Sequence, residues 1–270
     1  MTQEEINVKL FDLLGKSVTP FHTVSAAQEQ LEEAGFQELL MKNSWVIEPR
    51  GKYFMKHHDS SLIAFSVGNN AGYGGSFRIA AAHTDFPCLH LKPNPEVTCE
   101  SYAQVNVEVY GGAILNTWLD RPLSLAGKVA LRSEEIFKPE MRLIDVKDKI
   151  FTIPNLAIHM NREVNDGVAL NKQTDMLPLV GMIKDELEKK NFMMTYLAKK
   201  LDVKMEDILD YELFLYCAEE PTYIGINQEF ISAARLDDVN SVQALLSGII
   251  EGNNDEGYNL IALFNHEEIG

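Results

Sequence analysis

Apolar positions recur at helical spacing near the start of the chain and at strand spacing soon after. In residues 5–14, Ile6, Leu10, Phe11 and Leu14 fall on one helical face. Ser17-Val18-Thr19-Pro20 interrupts that pattern, and a second helix is predicted over 25–34 with Gly35 as its C-terminal stop. The period then shortens. Residues 52–56 and 61–67 read as strands joined at His58-Asp59-Ser60, a hairpin, and 68–75 is a glycine-rich loop. Residues 77–82 read as a buried strand that delivers His83-Thr84-Asp85 at its end. From 93 to about 230 short strand-like runs dominate, among them 105–110, 125–131 and 141–146. An amphipathic helix over 179–190 and further helical material over 196–209 break into them. Beyond 230 the first pattern returns, with a helix over 238–250 and a second buried strand, 259–264, that ends in His266-Glu267-Glu268. These alternations predict an α/β domain made of 1–92 and 232–270, interrupted by a β-rich insertion over 93–231.

Composition narrows the function classes. The chain has 270 residues, 46% hydrophobic and 24% charged, which fits a globular protein and excludes collagen, coiled coil and disorder. Asp plus Glu number 40 against 24 Lys plus Arg, a formal charge of -16. The densest basic stretch, Lys189-Lys190 to Lys199-Lys200, is interleaved with polar and apolar residues, so neither nucleic acid nor an anionic membrane is an expected partner. Three cysteines (Cys88, Cys99, Cys217), none in a Cys-x-x-Cys pair, make no disulfide framework and no thiolate zinc site. No secretory signal or bilayer-length apolar run is visible, and the expected location is the cytoplasm.

Three segments carry candidate chemistry, each at a strand or helix end where an α/β sheet presents its ligand-binding edge. In His83-Thr84-Asp85 a neutral imidazole suits a divalent metal, and a carboxylate two residues on can orient the ring. A strand-end histidine beside a turn-capping aspartate is the alternative. In Arg235-Leu236-Asp237-Asp238 the acids suit metal binding and equally suit a helix start. In Asn265-His266-Glu267-Glu268 an apolar strand ends abruptly in three ionisable side chains; they are either solvated or held by a cation. Taken together, one histidine, an aspartate and a glutamate pair form a donor set for Zn²⁺, Mn²⁺ or Co²⁺.

Longer motifs then point to a family. Ala82-His83-Thr84-Asp85-Phe86-Pro87-Cys88, Val107-Glu108-Val109-Tyr110-Gly111-Gly112, Thr117-Trp118-Leu119-Asp120-Arg121-Pro122-Leu123-Ser124, Ile153-Pro154-Asn155-Leu156-Ala157-Ile158-His159, Arg235-Leu236-Asp237 and Asn265-His266-Glu267-Glu268-Ile269-Gly270 occur in an order that resembles the M18 metalloaminopeptidases. The resemblance implies a zinc-aminopeptidase-like α/β/α domain, incomplete at the C-terminus, with an inserted dimerisation-type domain and homo-oligomeric assembly. It implies His83 and Glu268 as ligands of two different metals, Asp237 as the carboxylate bridging them, and Asp85 as the residue that orients His83. Glu267 becomes the general base. His159, in the insertion, reaches a neighbouring subunit's active site to stabilise an oxyanion. Asp238, where the family usually has Asn, is assigned no metal. The implied activity is removal of acidic or neutral N-terminal residues from peptides by water activated between two Zn²⁺ ions, with Co²⁺ or Mn²⁺ as substitutes. Family members are longer and contribute further ligands beyond the Glu-Glu segment, so the chain is expected to be a truncated form. The competing reading is an inactive homologue that acts only through assembly.

Overall fold

The first two helices begin where the sequence offers caps. In the computed structural model, which describes residues 2–70, 75–183 and 191–270, helix α1 (Gln3–Lys16) opens on a reciprocal cap. Glu5 N–H donates to Thr2 Oγ1 at 3.2 Å, and Thr2 N–H donates to Glu5 Oε2 at 2.7 Å. Helix α2 (Pro20–Glu33) starts at Pro20 rather than at 25. Thr19 caps it, and proline at the first helical position has the right φ and no orphan N–H to satisfy. It stops before Gly35, whose φ of 81° is the left-handed value that glycine adopts without strain.

A five-stranded sheet follows: β1 (Gln37–Glu38), β2 (Lys52–His57), β3 (Ser61–Val67), β4 (Phe77–His83) and the late strand β13 (Tyr258–Phe264). Their order is β1-β2-β3-β13-β4. β13 runs antiparallel to β3 and parallel to β4, with Phe264 opposite His83, so the C-terminal ends of β4 and β13 lie side by side. Helix α4 (Leu236–Glu251) packs on both strands, and α1 and α2 pack on α4. Leu14, Leu31, Phe54, Val242, Leu246 and Leu263 are fully buried among these elements. Between α2 and α4 the amides of Gln30 and Gln243 exchange two hydrogen bonds of 3.0 and 3.1 Å, which satisfies the polar group that α4 buries. One expectation fails here. β4 is not buried, for Phe77 is 60% and Ile79 67% exposed; among the described residues it stands at the edge of the sheet and pairs with β13 alone.

The second sheet has six antiparallel strands: β5 (Cys88–Cys99), β6 (Tyr102–Tyr110), β7 (Leu123–Leu131), β8 (Glu140–Asp145), β9 (Leu179–Met182) and β10 (Ile208–Cys217), in the order β8-β7-β10-β5-β6-β9. Leu89, Val105, Leu123, Leu125 and Leu213 form its core, with Met193 and Leu197 of helix α3 (Phe192–Leu201) packed in. The helix expected over 179–190 is corrected in its first part, where Leu179–Met182 pairs with β6 as strand β9; residues 184–190 lie outside the described residues. The helical material expected over 196–209 is α3, which ends at Leu201; Asp202 takes a left-handed φ of 54° and the chain turns into β10. A short hairpin, β11 (Thr222–Ile224) with β12 (Phe230–Ser232), precedes α4.

The contacts divide the chain into two compact units. One is Met1–Phe86 with Glu220–Gly270; the other is Pro87–Glu219, whose first strand begins at Cys88. Among the described residues no helix is long and apolar enough to cross a membrane.

Candidate metal centre

Three chain segments of the first unit meet at the C-terminal ends of β4 and β13. The first is locked by Thr84. Its N–H donates to Phe264 O at 2.7 Å, its Oγ1 donates to Ser60 O at 2.7 Å, and its own carbonyl accepts from Thr23 Oγ1 at 3.3 Å. His83 and Asp85 therefore project from a fixed backbone. The second segment precedes the regular part of α4. Arg235 stands in a left-handed conformation, its Nη2 donates to Leu14 O at 3.0 Å, and its guanidinium lies 5.7 Å over the Phe86 ring. Arginine thus anchors the loop that presents Asp237 and Asp238, which are joined by a cis peptide bond. The third is the turn Glu267–Ile269, introduced by His266 with φ 72°.

Asp85 ties the first and third segments together. Its side chain is 0% exposed, and its two oxygens accept the N–H groups of Glu267 at 3.3 Å and Glu268 at 3.2 Å. Those N–H groups open a helical turn and have no partner within it, so a buried carboxylate satisfies them and is satisfied in return. Asp85 also faces the imidazole, with Oδ1 3.4 Å from His83 Nδ1. His83 Nδ1 lies 3.0 Å from the Asp85 carbonyl oxygen, which can only accept; Nδ1 therefore carries the hydrogen. The lone pair on Nε2 is left facing a group of acids.

That group consists of Asp237 Oδ1 at 3.4 Å, Glu267 Oε2 at 3.8 Å and Asp238 Oδ2 at 3.9 Å from Nε2. His83, Asp237 and Asp238 offer donor atoms that all lie within 4.8 Å of one another. Burial of the His83 ring pushes its pKa down, but the hydrogen bond to the Asp85 carbonyl and the charges of Asp238, Asp85 and Glu267 outweigh that and raise it. The same negative field that holds a proton on the ring favours a divalent cation in its place. One imidazole nitrogen and carboxylate oxygens from neighbouring segments suit zinc in both donor chemistry and reach.

The structure brings His83, Asp85, Asp237 and Glu267 together. Glu268 joins through its backbone N–H, while its carboxylate is outside the group of three donors. His159 belongs to the other unit, exposed in the turn that follows Asn155. Asp238, to which the resemblance assigns no metal, nonetheless accepts the His83 N–H on Oδ2 at 3.1 Å and reaches the donor group. The signal is the acidic pair itself, two adjacent carboxylates on one segment.

The chain as a whole has counterparts among known proteins. The family model of the aminopeptidase I zinc metalloproteases (M18) matches residues 13–270. The chain belongs to the M18 family. A probable M18 family aminopeptidase 2 of Clostridium novyi is 46% identical over 263 residues, 97% of this chain and 61% of that protein. One of the same description from Clostridium acetobutylicum is 46% identical over 98% of this chain and 62% of its own length. Among solved structures, Chaetomium thermophilum mApe1 superposes with a TM-score of 0.90 at 31% identity, over 99% of this chain and 63% of that one. The chain thus spans somewhat under two thirds of the M18 relatives it matches, and its α/β architecture is theirs.

Proposed function

We propose that the protein to which this chain belongs is a zinc-dependent aminopeptidase, acting on peptides in the cytoplasm and removing an acidic or neutral N-terminal residue. The observation that carries this is the orientation of His83, with Nδ1 held by the Asp85 backbone and Nε2 turned to Asp237 and Asp238. His83, Asp237 and Asp238 would hold one ion. In the finer reading Asp237 would serve two ions and Glu268 the second of them. Zinc bound there supplies Lewis acidity towards a peptide carbonyl and lowers the pKa of a water molecule.

The remaining work falls to side chains of this chain. Glu267, exposed and 3.8 Å from His83 Nε2, takes the proton of the attacking water and returns it to the leaving amine. Asp85 keeps the imidazole in the tautomer that leaves Nε2 free. A free α-amine on the substrate pairs with a carboxylate, which selects chain ends over internal peptide bonds. His159 of a second copy of the chain donates a hydrogen bond to the carbonyl oxygen as charge builds on it. Its unit, Pro87–Glu219, is the self-association unit in this reading. Ile136 and Phe137 in the β7–β8 loop and Leu156, Ile158 and Met160 around His159 are all exposed, apolar surface that a second copy would cover.

Hydrolysis of aspartyl and leucyl amides by the zinc-loaded protein tests this. The expected results are loss of turnover with a chelator, and a drop of about 10³-fold in kcat for Glu267→Gln with zinc still bound. Retained zinc binding without turnover of either amide would instead favour a homologue that acts through assembly, and an active Glu267→Gln would remove the general base.

A further inference from the structure

His159 sits in a stretch that the sheet does not hold. The chain is tied to the six-stranded sheet as far as Thr152, through bridges of Leu123 to Phe151 and Thr152 to Leu179, and Ile153 bridges to Leu119 just ahead of β7. In the stretch beyond it all hydrogen bonds but one are local among the described residues. Leu156 N–H donates to Asn155 Oδ1 at 2.8 Å, and Met160 and Asn161 N–H donate to Ala157 O at 2.8 and 3.2 Å. One bond is not local: Asn155 N–H donates to Asp120 Oδ1 at 2.9 Å. Asp120 is itself fixed on the same segment, since its own N–H donates to Ile153 O at 2.8 Å. Its φ of 57° is a left-handed value that Asp, Asn and Gly tolerate and most residues do not.

We propose that Asp120 is a positioning residue for His159: backbone and carboxylate together clamp residues 153 and 155 and set the direction in which the 157–161 turn leaves the sheet. This rests on the reading of His159 as the group that meets the developing oxyanion. The geometry assigns Asp120 two separable contributions, a left-handed backbone and a hydrogen-bond acceptor. Asparagine supplies both, glycine only the first, alanine neither.

Two measurements on the full chain decide it. Amide hydrogen exchange at Asn155, followed by NMR, should accelerate about tenfold in Asp120→Ala and Asp120→Gly and stay at the parent rate in Asp120→Asn. In amide hydrolysis with zinc, Asp120→Ala should lower kcat about tenfold with KM unchanged, and Asp120→Asn should restore it. The double variant Asp120→Ala/His159→Ala should be no slower than His159→Ala, because both changes remove the same contribution. Parent-like exchange in Asp120→Ala, full rescue by Asp120→Gly, or multiplicative losses in the double variant would each overturn the proposal. If the parent hydrolyses neither amide, the aminopeptidase reading falls on its own, and the exchange rates still decide whether Asp120 holds the turn.

Discussion

At His83 the two ring nitrogens do different work, and the backbone enforces the division. The Asp85 carbonyl takes the Nδ1 hydrogen, so Nε2 must present its lone pair to the acids. The buried Asp85 carboxylate couples this to the position of Glu267 and Glu268 by accepting both of their N–H groups. Asp85→Asn offers one oxygen where two accept and sets an N–H donor against another donor. Zinc affinity is expected to fall about 10–100-fold in that variant, read by competition with a chromophoric chelator; parent affinity would detach Asp85 from the metal position. In the unit Pro87–Glu219, burial, together with the charges of Glu96 and Asp210, pushes the Tyr211 hydroxyl up to about 12. Its O–H donates towards the Lys92 and Pro93 carbonyls at 2.8 and 3.0 Å, bonds that ionisation would abolish. The folded-state pKa is above the unfolded value, so the stabilisation is intact below the unfolded pKa near 10 and is lost as pH rises towards 12. Tyr211→Phe should flatten stability against pH in that window, measured by urea unfolding; an unchanged slope would assign the loss to other groups.

Among the elements, β7 and β10 approach so closely that only glycine fits at one point. A Cβ on Gly127 would stand 2.1 Å from Glu212 O, a backbone atom that no rotamer change can move. Gly127→Ala is expected to cost on the order of 3 kcal/mol, seen as a lower urea midpoint at unchanged slope. A loss under about 0.5 kcal/mol would mean that the two strands separate more easily than their pairing suggests. This scale also shows where pattern reading stops. Helix α2 extends to Pro20 because a capping threonine and a first-turn proline begin helices as well as end them. Leu179–Met182 carries apolar residues compatible with either period, and the free edge of β6 made it a strand. Phe77 and Ile79 are exposed on β4, which stands at the edge of the order β1-β2-β3-β13-β4 among the described residues, a place that four buried-looking letters in a row do not disclose.

For the whole molecule, a net charge of -16 opposes folding through self-repulsion. Raising sodium chloride from about 10 mM to about 150 mM should therefore raise the melting temperature, as the screening length shortens to about 8 Å; a fall would mean that attractive ion pairs dominate. Zinc at about 100 times its Kd should add about 2.7 kcal/mol to the parent and nothing to His83→Ala. Equal stabilisation of both would place the bound ion elsewhere. The two units also mark what each level of description decides. Local order along the chain determined the alternation of α/β and β-rich segments, the helix caps and the positions of His83, Asp237 and Glu267, because spacing, turn chemistry and motif order are properties of neighbouring residues. Only the tertiary structure decided that Asp238 reaches His83 and its donor group, that Arg235 serves as the anchor of its loop and that Asp120 reaches Asn155. Those partners are distant in sequence, and nothing but the folded backbone fixes which distant atoms come within hydrogen-bonding reach.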